Sequence, residues 1–157
     1  MEALIYIAAT IYLIYNTATI LKNGDLTETL SDTYYVWPKW VFPLVMTILG
    51  FSMLPVWLEA TINSPLQFLS FLSCASFIFV GFVPNFRNDK EEYKIHVTCG
   101  YLATGIALLS LILVLGNWEI FPALLLASYI LDFGEFRKHY IYHIENSLIV
   151  SILLSII

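Results

Sequence analysis

Residues 102–115 read LATGIALLSLILVL, a run without one charged side chain, and residues 120–131 read IFPALLLASYIL, a second. Neither alternates apolar and polar residues over about ten positions, as a strand of a membrane β-barrel must. Lipid offers no partner to a backbone N–H or C=O, so each run must close its hydrogen bonds inside a helix. Working outward, these runs extend to residues 95–115 and 118–133, and further apolar segments fill residues 3–21, 40–58, 65–83 and 140–157. A helix needs about 20 such residues to cross a bilayer. The sequence therefore predicts an all-α polytopic transmembrane helix bundle of six spans, in a single domain over residues 1–157. The segment 118–133 is short, and the count falls to five if it does not fully cross. Composition agrees. The chain is 59% hydrophobic with a mean hydropathy of +0.80, against roughly half apolar residues in an average soluble domain.

The first segment reads as a permanent span rather than a cleaved leader. No basic stretch precedes it and no small-x-small site closes it. All seven basic residues fall on one side of the six-span scheme: Lys22 and Lys39 in the first loop, Arg87, Lys90 and Lys94 in the third, Arg137 and Lys138 in the fifth. The second and fourth loops carry only Glu59 and Glu119. The positive-inside rule then places those loops in the cytoplasm and both termini outside the cell membrane. Tyr34, Tyr35, Trp37 and Trp40 cluster at the start of the second span, with Trp57 and Trp118 near the opposite face, where amphipathic rings suit the headgroup zone. Basic residues this few, mixed with acids, exclude a nucleic-acid surface. The bilayer is the partner the composition demands, with a membrane-protein partner or a second copy of the chain as further candidates.

The longest loop, residues 22–39, opens with Asn23-Gly24-Asp25, which reads as a turn, and residues 26–31 suit a short interfacial helical turn. Pro43 and Pro55 fall inside the second span and each removes one backbone donor. Small residues mark packing faces, because helices in lipid associate through close contact of small side chains. Gly100 and Thr104 share a face of the fourth span, and Cys74 lies in the third, so these two spans are expected to form an antiparallel hairpin with Cys74, Gly100 and Thr104 inward. Cys74 and Cys99 differ in depth, which argues against a disulfide. Asn16, with Tyr12 and Thr19 on its face, reads as glue between helices.

Chemistry concentrates at the cytoplasmic edge. His96 opens the fourth span, and His139 and His143 open the sixth at a spacing that puts both on one helical face. That face continues as Ser147 and Ser151, so it is expected to point into the bundle, since polar groups against hydrocarbon are costly. Asp132 ends the fifth span, Asp32 precedes the second, and Asp89 and Glu135 lie at the same edge. A histidine pair one turn apart, a third histidine and a carboxylate make a ligand set for zinc: His96, His139, His143 and Asp132. The same residues suit an interfacial, hydrogen-bonded cluster with no cofactor. An ion pair from Asp132 to Arg137 or Lys138 is the simplest account of that carboxylate. Glu145 points nearly opposite to His143 on the helix and falls outside either reading.

The early His96 with the late His139-x-x-x-His143 is similar to the membrane hydrolases of the ceramidase and adiponectin-receptor type. That superfamily has seven spans, and its serine and aspartate motifs have no counterpart here; the resemblance implies a zinc-dependent hydrolase acting on a lipid. Phe79-Val80-Gly81, Pro84, Phe86 and His96, with the Leu30 to Tyr35 stretch, resemble small multi-pass bacterial inner-membrane proteins of no established activity. This implies a bacterial inner membrane, and a cytoplasmic edge where those two loops meet the His139–His143 segment. The leading expectation is a binding, accessory or assembly factor working through that polar edge. A zinc hydrolase is the chief rival, and a channel or transporter subunit the third reading.

Overall fold

The computed structural model describes residues 2–156, and among these it contains helices and no strand. Six α-helices follow one another: α1 (Glu2–Asn23), α2 (Val41–Ala60), α3 (Phe68–Phe82), α4 (Lys90–Ser110), α5 (Ile120–Leu131) and α6 (Phe136–Ile156). A short 3-10 helix, Leu30–Tyr35, lies between α1 and α2, and α4 runs on through a π turn, Leu111–Leu115. Gly116 stops it in the left-handed region, at φ 72°, a conformation glycine adopts without steric cost.

Among the described residues three helices are long and apolar enough to cross a membrane: Ala3–Asn23, Val41–Ala60 and Lys90–Leu115. The expected six are not all of this kind. α3 and α5 are apolar but have 15 and 12 residues. At 1.5 Å per residue they reach about 22 and 18 Å, short of a hydrocarbon core of about 30 Å. α6 has the length, but its first half carries Arg137, Lys138, two histidines and Glu145. Outward faces carry large apolar side chains such as Leu13, Ile14, Leu113 and Leu131, a surface suited to hydrocarbon.

Paired contacts fix the directions. Met46 lies opposite Gly81 and Thr61 opposite Ser70, so α2 and α3 are antiparallel. Ser73 Oγ donates to the Ala103 carbonyl while His96 at the start of α4 meets Val83 at the end of α3, so α3 and α4 form an antiparallel hairpin. Tyr12 donates to Asn146 at 2.5 Å and Tyr142 to Asn16 at 2.9 Å, which sets α6 antiparallel to α1 and makes Asn16 the glue its sequence position suggests. α5 buries none of its residues and packs on α6. The result brings the end of α1, the 3-10 helix, the α3–α4 loop and the α5–α6 turn to one end of the bundle.

Four local expectations change. The loop helix sits at Leu30–Tyr35 rather than at 26–31, because Thr29 and Asp32 form a capping box and Leu30 through Tyr34 are buried against the bundle. Pro43 falls in the first turn of α2, where no intrahelical donor is lost, and only Pro55 lies in the helix interior. Gly100 makes no close helix contact, since a Cβ there would meet nothing within 4 Å. Thr104 is only half buried and turns its hydroxyl back to the Gly100 carbonyl. Toward α3, buried Ser73 bonds the Ala103 carbonyl, and the fully buried small residues of α4 are Ala103 and Ala107, about one step round the helix. The tight small-residue contacts join α2 to α3: a Cβ on Gly81 would lie 2.8 Å from Met46 Cβ, and one on Gly50 2.5 Å from Ile78 Cγ1. Cys74 is fully buried there, and both cysteines are free thiols.

Candidate metal centre

α5 ends at Leu131 and the chain turns within four residues, with the Asp132 carbonyl accepting from Phe136 N–H at 2.7 Å. That turn holds the Asp132 side chain over the first turns of α6, where His139 and His143 share a face. Asp132 Oδ2 lies 3.1 Å from His139 Nδ1 and 2.8 Å from His143 Nε2. One donor atom from each of the three residues lies within 4.8 Å of the others. Ligands on a tetrahedral zinc at about 2.0–2.1 Å stand roughly 3.3 Å apart, so a small side-chain adjustment would seat an ion. The orientation is fixed by packing. Phe136 stacks on the His143 ring with centroids 5.0 Å apart and planes within 6°. His139 is fully buried, and Asp132 is partly open to the outside.

The far side of His139 shows what the cluster lacks. Its Nε2 is buried and has no hydrogen-bond partner. The nearest opposite group is Asp25 Oδ2 at 3.8 Å, and Asp25 is itself held by Lys138 Nζ at 2.7 Å. The Lys138 ammonium, helped by the Leu26 N–H, holds the Asp25 carboxyl below the usual carboxylate range, and Asp25 lifts Lys138 in return. Asp25 is therefore a fixed anion. A neutral His139 donating from Nδ1 to Asp132 would turn an Nε2 lone pair toward that anion. Two states remove the conflict: an imidazolium, or a metal ion on Nδ1 with the proton on Nε2. The second reproduces a common device, in which a carboxylate takes the outer N–H of a metal-bound histidine and sets its tautomer.

His96, expected as a ligand, is not part of this cluster. Its Nδ1 donates to the Val83 carbonyl at 2.8 Å and its ring stacks on Phe86 at 4.4 Å. It belongs to a second polar group, in which Arg87 pairs with buried Asp32 at 2.7 Å and Tyr35 Oη accepts from the Arg87 N–H. Phe86 also packs edge-on against Tyr35. The two loops expected to meet at this end do meet, but Asp32 serves Arg87 rather than the histidines. Asp132 pairs with neither Arg137 nor Lys138, because the histidines occupy Oδ2 and Lys138 is committed to Asp25. Asp89 caps α4 by accepting from Glu91 and Glu92 N–H, and Glu135 is exposed in the turn.

The stripe below the histidines is buried throughout, at Ser147 and Ser151, with Ser151 Oγ donating to the Ser147 carbonyl at 2.6 Å. Residues that sequence reasoning missed are Asp25, set aside as part of a turn, and Glu145, whose Oε2 accepts from Leu30 N–H at 2.7 Å and ties α6 to the 3-10 helix. The i, i+4 histidines gave the site's core, but no spacing rule joins Asp25 to a histidine more than a hundred residues later. No protein-family model, curated protein or solved structure matches this chain.

Proposed function

We propose that the protein is a six-span cell-membrane protein that binds one zinc-like divalent ion through Asp132, His139 and His143 at its cytoplasmic edge. On this reading it works as a binding or assembly component. The observation that carries it is the convergence of three donor atoms beside a buried, unpartnered histidine nitrogen that faces a fixed carboxylate. The hydrolase alternative has less support, since it drew its third histidine from His96, which is engaged with Val83 and Phe86. In the six-span arrangement α3 and α5 cross by thinning the bilayer or by leaning on longer neighbours, both modest in cost.

The metal test uses protein purified in detergent without a polyhistidine tag. Expected are about one zinc per chain, loss of that zinc in His143→Ala, and retention in His96→Ala. A folded wild-type protein that takes up no zinc, cobalt or other divalent transition metal would overturn the reading. Retention of zinc at full stoichiometry in His143→Ala would overturn it too.

Orientation is a separate prediction, resting on the one-sided lysines and arginines. In a cysteine-free background, a membrane-impermeant thiol reagent added outside intact cells should label Ile62→Cys and spare Lys90→Cys. The reverse pattern would invert the topology.

A further inference from the structure

Between α4 and α6 lies a cavity of about 440 Å³, within the range of about 300–1,000 Å³ typical of small-molecule sites. Phe42, Met46, Phe77 and Ile149 form its inner wall, and Thr29 to Ser31 lie at its loop end. Along α4 its lining runs from Tyr93 to Thr104, about 16 Å at 1.5 Å per residue. Tyr93, Tyr101 and Tyr140 line it and are exposed, so it opens sideways between two helices. Tyrosine suits the boundary between hydrocarbon and headgroups, where that opening lies in the six-span arrangement. Gly100 is also on the lining, and a Cβ there would meet nothing within 4 Å.

No lysine or arginine is among the lining residues, so a carboxylate or phosphate head finds no fixed cation there. Burying any full charge in an apolar slot costs far more than burying a hydroxyl. The polar side chains of α4 are already engaged: Thr104 donates its hydroxyl to the Gly100 carbonyl, and His96 is held by the Val83 carbonyl and the Phe86 ring. Ser31 differs. It is 6% exposed, and among the described residues no side-chain hydrogen bond engages its hydroxyl. A hydroxyl gives one proton and accepts two, so its natural complement in an apolar slot is another hydroxyl. Such a head also suits the adjacent Glu145 in either protonation state, because it can donate or accept. The choice of occupant therefore rests on Ser31 and on the missing cations, and not on the charge of that carboxyl.

We infer that this cavity binds one uncharged, single-chain lipid alcohol. The alkyl chain lies along the trough against Phe42, Met46 and Phe77, and the hydroxyl head reaches Ser31 at the loop end. One polar end joined to one elongated apolar trough fits one head on one chain. The occupant enters sideways from the bilayer, with its head at the level where α4 and α6 begin. This inference stands apart from the metal centre, whose ligands are not among the cavity's lining residues.

The test is native mass spectrometry of the protein in phosphatidylcholine nanodiscs, titrated in parallel with dodecanol, dodecanoate and dodecylamine. Expected is one dodecanol per chain, with weaker binding of both charged probes. Gly100→Leu places a side chain in the open space, so it should abolish the adduct while the melting temperature holds; Thr104→Leu repeats the test from another lining position. Ser31→Ala should weaken dodecanol about fivefold, the value of one neutral hydrogen bond, and Ser31→Thr should restore it. Tighter binding of dodecanoate or dodecylamine than of dodecanol would overturn the proposal. So would a dodecanol adduct unchanged in a folded Gly100→Leu or Ser31→Ala protein. Retention of one phosphatidylcholine per chain that dodecanol does not displace would overturn it too, by assigning the space to a two-chain bilayer lipid.

Discussion

Gly81→Leu lowers the thermal stability of the detergent-solubilised protein strongly, and Gly100→Leu does not. At Gly81 even a Cβ would stand 2.8 Å from Met46 Cβ and 3.5 Å from Pro43 Cα. Neither is the far end of a flexible side chain, so α2 and α3 must move apart to admit the substitution. Overpacking of this kind costs typically 1–3 kcal/mol, occasionally more, and a full leucine against a backbone-proximal contact belongs at the upper end, about 3 kcal/mol. The hydrophobic effect does not resist the separation, because lipid is as apolar as the face it would cover; close packing itself is what holds these helices. Gly100 is the internal control, on a helix of similar character with open space before it. There the loss of a mid-helix glycine, unfavourable by about 1 kcal/mol against alanine, leaves stability unchanged or slightly raised. Melting curves followed by circular dichroism, with metal and lipid held constant, decide the matter. Equal curves for the two variants would show that α2 and α3 are not in the contact described.

That contrast also shows how far the sequence could be read. The small residues of α4 are visible in the chain, and the rule that such residues pack closely is sound. The rule does not say which of two adjacent faces meets a neighbour. Residues 103 and 107 are buried, with Ser73 of α3 on the 103 carbonyl, whereas a Cβ at 100, one step round, meets only open space and 104 stays half buried. The long apolar runs announced α1, α2 and α4 because their signal is local, set by each segment's own hydropathy. The 3-10 helix was missed in register because it is held from far away, by Glu145 on Leu30 N–H, Tyr15 on Thr33 and Arg87 on Asp32. The histidine pair was legible because its spacing is a helical period. His96 was grouped with it on depth alone, and depth does not distinguish two clusters at the same end of one bundle.

The same limit makes Asp25 the most informative residue for the second large effect. Asp25→Asn weakens zinc binding by about 10–100-fold, the usual consequence of removing an outer partner of a metal-bound histidine, although Asp25 touches no ion. Its half-exposed side chain needs to move less than about 1 Å to bring Oδ2 from 3.8 Å to hydrogen-bond distance of His139 Nε2. The asparagine can still accept from Leu26 N–H through its oxygen, as Asp25 Oδ1 does now at 2.8 Å, so the turn keeps its shape. What is lost is the anion that holds the proton on Nε2 and leaves Nδ1 free to ligate. Asp89→Asn removes the same charge from the same end of the molecule and keeps an oxygen to cap α4, and it leaves zinc affinity unchanged. Competition titrations with a zinc-responsive dye give both constants. Equal weakening in the two variants would reduce Asp25 to a general electrostatic contribution. Unchanged affinity in Asp25→Asn would mean that His139 binds through a different nitrogen, or not at all.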